Sequence, residues 1–224
     1  MTPETGATRV LLGSASPARR RVLRAAGIDP LVLIADLDED ALVAGLAGAP
    51  PGDVVTALAR AKAEAIIAAV GASSDPEIAA VAADGVVLTC DSMLLLDGEL
   101  AGKPKTGEVA RARWREMRGR TGDLLTGHCV TRMSGGAVTA VAAGGASTVI
   151  RFSDVSDAVV DRYIATGEPL EVAGAFTLDG LGGWLLDGID GDPSSVIGIS
   201  LPLTRELLNE VGVDVTTLWP VAAP

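Results

Sequence analysis

The chain is poor in aromatic side chains: three Trp, two Phe and one Tyr in 224 residues. Proteins that grip single-stranded nucleic acid stack bases on aromatic platforms, so this scarcity argues against that function. Cysteine is scarcer still, at Cys90 and Cys129. Two are too few for a disulfide framework or a zinc cluster, and a reduced compartment follows. His128 is the sole histidine, which excludes His-rich metal sites and makes any Ser-His-Asp triad hang on one residue. A general base is therefore expected to be a carboxylate. No stretch approaches the roughly 20 apolar residues of a membrane span, and the first nine residues lack the apolar core of a signal peptide. A cytoplasmic protein without a membrane partner is expected.

Hydrophobic residues make up 48% of the chain, ample for a core and too many for disorder. The length suits one large α/β domain or two small lobes. A net charge of −11 argues against a nucleic-acid polymer as partner. The basic residues are unevenly placed, with 14 of the 18 Lys and Arg at or before Arg120. An acidic chain with a local basic pocket suits a small anionic ligand.

The chain is organised around Leu11–Arg21, LLGSASPARRR. A short apolar run breaks at Gly13. Ser16 is a good N-cap and Pro17 a good first helical residue, so a strand, a small-residue turn and a helix follow one another. The free N–H groups at such a terminus favour anions. Arg19, Arg20 and Arg21 in the first turn oppose the helix dipole, which is unfavourable unless an anion sits nearby. Spacing alone leaves a phosphate site and a solvated basic turn equally open.

Further along, Leu31–Ala35 reads as a strand running into the acidic cluster Asp36–Asp40. Asp53 is expected to cap a helix from Val54 to about Val70, with Lys62 at the centre of its apolar stripe. A lysine there must snorkel or find an anion, and the chain has only two others, Lys103 and Lys105. Ile78–Ala83 and Val86–Cys90 read as strand material. Asp91 falls where the second run stops, at a strand C-terminus of the kind where α/β sheets gather ligands. A helix follows Thr106, and its arginines are expected to be mostly solvated. Leu124–Met133, Ala137–Ala142 and Thr148–Phe152 read as strands, and Asp157–Ala165 as a helix. Ala173–Gly183 is glycine-dense and reads as a functional loop. The last helix is expected over Leu203–Val211.

These landmarks resemble, in order, the Maf family of nucleotide pyrophosphatases. Ser14, Ser16, Pro17 and Arg19 match its S-x-S-P-R-R pattern; Ala18 stands where many members carry the first arginine, and Arg20 is the candidate to compensate. Leu58–Ala63 matches an L-A-R-x-K-A context, Cys90-Asp91-Ser92 with Gly102-Lys103-Pro104 a second signature, and Tyr163 with Gly167-Glu168-Pro169 a third. The resemblance implies an α/β fold with a central mixed sheet, flanking helices and two lobes around a deep cleft, all in a single domain. It implies hydrolysis of a canonical or modified nucleoside triphosphate to monophosphate and pyrophosphate, a house-cleaning activity. Ser14, Ser16, Arg19, Arg20, Lys62 and Lys103 would contact phosphate. Asp91 would be the base or a ligand, with Glu39, of Mg²⁺ or Mn²⁺. Relatives suggest a homodimer.

Two other classes stay open. A nucleotide-binding regulator of cell division needs the pocket but not Asp91, and a nucleotidyl or phosphosugar transferase needs a second acceptor pocket. Where relatives carry glutamine in the glycine-rich loop this chain has Asp179. An ionised carboxylate only accepts, so a base that presents donors, guanine or cytosine, is expected over thymine or uracil.

Overall fold

The computed structural model describes residues 8–220. Seven strands form one mixed sheet: β1 (Arg9–Leu12), β2 (Leu31–Val32), β3 (Asp84–Leu96), β4 (Glu99–Ala101), β5 (Thr121–Ser134), β6 (Ala137–Phe152) and β7 (Leu186–Asp190), in the order β2-β1-β3-β5-β6-β7 with β4 paired to β3. β1 runs parallel to both its neighbours, whereas β3, β5, β6 and β7 pair antiparallel. The helices are α1 (Pro17–Ala25), α2 (Glu39–Gly45), α3 (Pro51–Ala72), α4 (Pro76–Ala83), α5 (Gly107–Met117), α6 (Asp157–Ala165), α7 (Pro193–Ile197) and α8 (Leu201–Glu210).

Strand alternation divides the residues of β1, β3 and β5 between two faces. Val10, Leu12, Val86, Leu88, Cys90 and Val130 pack with Leu23 of α1 and with Leu207 and Leu208 of α8. Leu11, Val87 and Met133 pack with Ile66 and Val70 of α3 and with Ile78 and Val81 of α4. A separate core lies further along β3 and β5, where Leu94, Leu124, Ile150 and Phe152 meet Trp114 of α5 and Tyr163 of α6. Asp91 falls on β3 between the Leu88–Cys90 core and Leu94.

Several expectations need correction. Ile78–Ala83 is not a strand but helix α4, because Asp75 accepts from the Glu77 N–H and Pro76 starts the turn. Asp53 does not cap α3: the helix begins at Pro51, Pro50 is its cap, and Asp53 lies in the first turn. The second strand stops at Val32, because its partner β1 ends at Leu12, and Ile34 is exposed. Ala137–Phe152 is one strand rather than two. Gly144 and Gly145 inside it do not break it; they give room to Leu203 and Leu207 of α8 on one side and to Thr56 of α3 on the other.

Bare backbone sets the approach of α3 to the sheet. A Cβ on Gly127 of β5 would overlap the Val55 carbonyl, and one on Gly13 would lie 2.7 Å from both the Ile66 and Thr89 side chains. Thr89 Oγ1 donates to the Ala59 carbonyl of α3 at 2.7 Å. The helix therefore lies close against β3 and β5, and Gly127 is the cross-strand partner of Asp91.

Candidate active site

The last pairing between β1 and β3 is Leu12 with Leu88. Between that pairing and the start of the β4 pairing at Leu94, β3 has no strand on that side, and the Gly13–Ser16 turn and the start of α1 follow the end of β1. Ser16 accepts from the Arg19 N–H at 3.4 Å, as an N-cap should, and Ser14 Oγ accepts from the Ser16 N–H at 3.2 Å.

Asp91 shares a face with Val87 and Thr89, the face that α3 covers, and Lys62 reaches it from that helix. Lys62 Nζ donates to Asp91 Oδ1 and lies 3.0 Å from Glu39 Oε1 on α2. The Lys62 and Asp91 side chains are only 17% and 10% exposed, so this is a sheltered ammonium between two carboxylates. Lys62 does not merely snorkel.

Ser92, one residue on, points to the opposite face and meets Arg19. The Arg19 guanidinium donates from Nη2 to Ser92 Oγ at 3.2 Å, from Nη1 to Ser14 Oγ at 3.0 Å and from Nε to the Gly198 carbonyl at 2.8 Å. All three acceptors are neutral, and among the described residues no carboxylate pairs with Arg19. Its orientation is fixed while its charge stays uncompensated. Gly198 permits the approach: its φ is +123°, and a Cβ there would sit 3.2 Å from Arg19 Cγ and Nε.

Cys90 lies between these groups. Arg19 and Lys62 both pull its thiol down, but burial dominates and pushes its pKa up to about 11, so it is no nucleophile. His128 is buried too. Its Nε2 accepts from the Ser200 N–H at 2.8 Å, so its Nδ1 carries the proton toward the Thr126 carbonyl at 3.1 Å. Burial first, then the Arg19 charge, lowers its pKa to about 4. A Ser-His-Asp triad is not built here.

Glu39, Lys62 and Asp91 are thus brought together, and Ser14, Ser16 and Arg19 form a second linked group. Three expected residues lie apart from both. Arg20 makes no ion pair with either group among the described residues, its Nε is buried without a partner, and its charge is felt at Asp29. Lys103 is half exposed, 3.9 Å from Glu171. Asp179 pairs with Arg21 at 2.8 Å.

Sequence reasoning misses Ser92, Thr126, Gly198 and Glu168. Glu168 anchors the glycine-rich segment: it accepts from Tyr163 Oη at 3.1 Å, from Thr177 Oγ1, and from the N–H groups of Leu181 and Gly182 at 3.1 and 3.0 Å. Burial alone would raise its pKa, but these bonds outweigh it and hold the carboxyl below its ordinary value. The signal is present in the Tyr163…Gly-Glu-Pro spacing, but only the fold reveals the partners.

Among the described residues no group of three or more His, Cys, Asp and Glu side chains is placed to hold a metal unaided. Glu39 and Asp91 nevertheless converge on one cation, the Lys62 ammonium. Two carboxylates completed by phosphate oxygens and water are the donor set Mg²⁺ takes, and the pair fits such an ion.

An α/β sheet flanked by an uncompensated arginine, a capped helix N-terminus and a sheltered Asp91–Lys62 pair that Glu39 joins from α2 defines a protein that handles a phosphorylated small molecule. The chain belongs to the family described as Maf-like protein, whose model matches residues 9–211. A nucleoside triphosphate pyrophosphatase of Saccharopolyspora erythraea is 58% identical over 96% of this chain and 99% of its own. Those of Nocardia farcinica and Rhodococcus jostii are 59% and 55% identical, covering 94% and 95% of this chain and 96% of each relative. A solved nucleoside-triphosphatase (dITP/XTP pyrophosphatase) from Mycobacterium abscessus aligns over 95% of this chain and 98% of its own at 11% identity and TM-score 0.35, too distant to carry an argument.

Proposed function

We propose that the chain hydrolyses a nucleoside triphosphate to nucleoside monophosphate and pyrophosphate. The observation that carries this reading is the pairing of a fixed, uncompensated Arg19 with a sheltered Asp91 held by Lys62. Phosphoryl transfer asks mainly for positioning and charge stabilisation. Arg19, whose acceptors are neutral, offers its full charge to phosphate oxygens, helped by Ser14, Ser16 and the N–H groups of the first turn. Lys62 supplies a second cation, and Lys103, half exposed, a third where the phosphate chain leaves the site.

The attacking water forms a bond to the α-phosphorus, the bond to the bridging oxygen breaks, and pyrophosphate leaves. Asp91 takes the water proton, and Lys62 fixes the position of that carboxylate. Glu39 and Asp91 would hold Mg²⁺ or Mn²⁺, which would neutralise phosphate charge and acidify water. Asp179 spends Oδ2 on Arg21 and keeps Oδ1 for a base that presents donors, guanine or cytosine. The same reading puts the enzyme in the cytoplasm, where nucleoside triphosphates are made and used, and allows a homodimer. No helix among the described residues is long and apolar enough to cross a membrane.

A non-catalytic regulator would bind nucleotide without needing a sheltered carboxylate beside the phosphate cations. The test is a panel of nucleoside triphosphates assayed with Mg²⁺ or Mn²⁺ for pyrophosphate and monophosphate. Release of orthophosphate and diphosphate would sink the proposal, and undiminished activity in excess chelator would remove the metal from it.

A further inference from the structure

We propose that His128 is the positioning residue for Arg19, acting through the turn between α7 and α8. It rests on the reading of Arg19 as a phosphate contact. His128 is 1% exposed and cannot touch a substrate, yet it stands in a closed ring of hydrogen bonds that ends on the guanidinium. One arm of the ring runs from Arg19 Nη2 to Ser92 Oγ, on to Thr126 Oγ1 at 3.0 Å, and from there to the Ser195 carbonyl at 3.3 Å. The other runs from Arg19 Nε to the Gly198 carbonyl. Ser195 and Gly198 belong to one turn, in which the Gly198 N–H returns to the Ser194 and Ser195 carbonyls and the Ile199 N–H to the Ser194 carbonyl.

His128 fastens that turn to the sheet. Its Nε2 receives the Ser200 N–H two residues after Gly198, and its Nδ1–H is directed at the carbonyl of Thr126, the residue whose side chain closes the other arm. Ser200 is also the N-cap of α8, accepting from the Leu203 N–H at 3.2 Å. The neutral imidazole therefore bridges the two anchor points of Arg19, a carbonyl on the turn and a hydroxyl on the strand. Among the described residues no other side chain accepts from the Ser200 N–H. Without the imidazole that N–H loses its partner, and the 3.3 Å bond from Thr126 Oγ1 to the Ser195 carbonyl is left alone to hold the Gly198 carbonyl against β5. Misplacing a charge-stabilising group by about 1 Å can cost on the order of 10²-fold in rate.

The experiment is a double-mutant cycle on the full chain, using His128→Phe and Arg19→Ala singly and together, with kcat/KM for the best nucleoside triphosphate and thermal midpoint as separate readouts. His128→Phe is expected to lower kcat/KM by about 10- to 100-fold. In the Arg19→Ala background it should cost nothing further, while it lowers the midpoint by the same amount in both. His128→Gln, whose amide can both accept and donate, should restore part of kcat/KM. Should His128→Phe not fold, Thr126→Val breaks the same ring with little change of shape and carries the same expectation. Losses that multiply in the double variant overturn the proposal. An Arg19→Ala protein of parental kcat/KM instead overturns the phosphate role of Arg19, a separate failure.

Discussion

Asp179 Oδ2 lies 2.8 Å from Arg21 Nη2, so the glycine-rich segment is tied by its own carboxylate to the helix that opens with the Ser-x-Ser-Pro turn. One oxygen is spent on that pair and the other still only accepts. A guanine-type or cytosine-type triphosphate is therefore expected to turn over better than dTTP or UTP. An acceptor facing the O4 of uracil loses about 1–3 kcal/mol, roughly 5- to 150-fold in kcat/KM. Asp179→Gln should narrow or reverse the ranking. A parent enzyme that already prefers dTTP or UTP ends this idea.

Lys62 separates a structural from a chemical account of the site. Lys62→Met leaves Asp91 and Glu39 without the ammonium between them. It should lower stability by about 2 kcal/mol, less than the ~3–5 of a fully enclosed pair, because both Lys62 and Asp91 keep some exposure. The double variant Lys62→Met/Asp91→Asn should recover at least half of that loss in urea titrations. If it is no more stable than Lys62→Met alone, the pair is not what holds the two elements.

Asp91→Asn keeps size and hydrogen bonding but cannot take a proton. The expected loss in kcat is at least about 10²-fold with the fold intact by circular dichroism. Near-parental turnover would move the role to Glu39.

Gly127→Ala tests the close seat of α3. Its Cβ would meet the Val55 backbone, which cannot rotate away, so the helix must lift. A loss of about 1–3 kcal/mol or more is expected, the range for overpacking, together with a lower kcat as Lys62 draws back from Asp91. Gly71→Ala in the same helix meets nothing within 4 Å and should be neutral or stabilising by up to about 1 kcal/mol. Equal midpoints for the two variants would contradict the packing described.

The pH dependence of stability should carry the mark of His128. Its pKa falls from 6.5 to about 4 on folding, so between these values the unfolded chain binds the extra proton. The stabilisation is complete above pH 6.5, declines as pH drops, and is lost by about 4. The full interval is worth about 3 kcal/mol. Between pH 7 and 5 the parent should lose about 2 kcal/mol more than His128→Gln does. Parallel curves would show that His128 titrates normally in the fold.

The charged members of the site are legible because each breaks a local pattern. Arg19 opposes a helix dipole, Lys62 interrupts an apolar stripe, and Asp91 ends an apolar run. The neutral members are not. Ser92, Thr126, Ser200 and the Gly198 carbonyl are ordinary residues until the chain brings them together from positions as far apart as 19 and 198. Ile78–Ala83 misleads because a short apolar run has no period of its own, and its Asp-Pro cap carries the answer. The stretch between Ala142 and Thr148 belongs to the same strand; glycine usually weakens a strand, but at Gly144 and Gly145 neighbouring helices use the space.

The Glu168 anchor has a thermodynamic consequence. Four donors already hold that carboxylate, so residues 177–182 form a finished wall before any nucleotide arrives. Ordering a loose segment costs about 1–2 kcal/mol for each residue fixed; here folding meets that cost instead of binding. Association measured by calorimetry should therefore show a small entropic penalty, and this wall offers a rigid template instead of a closing lid.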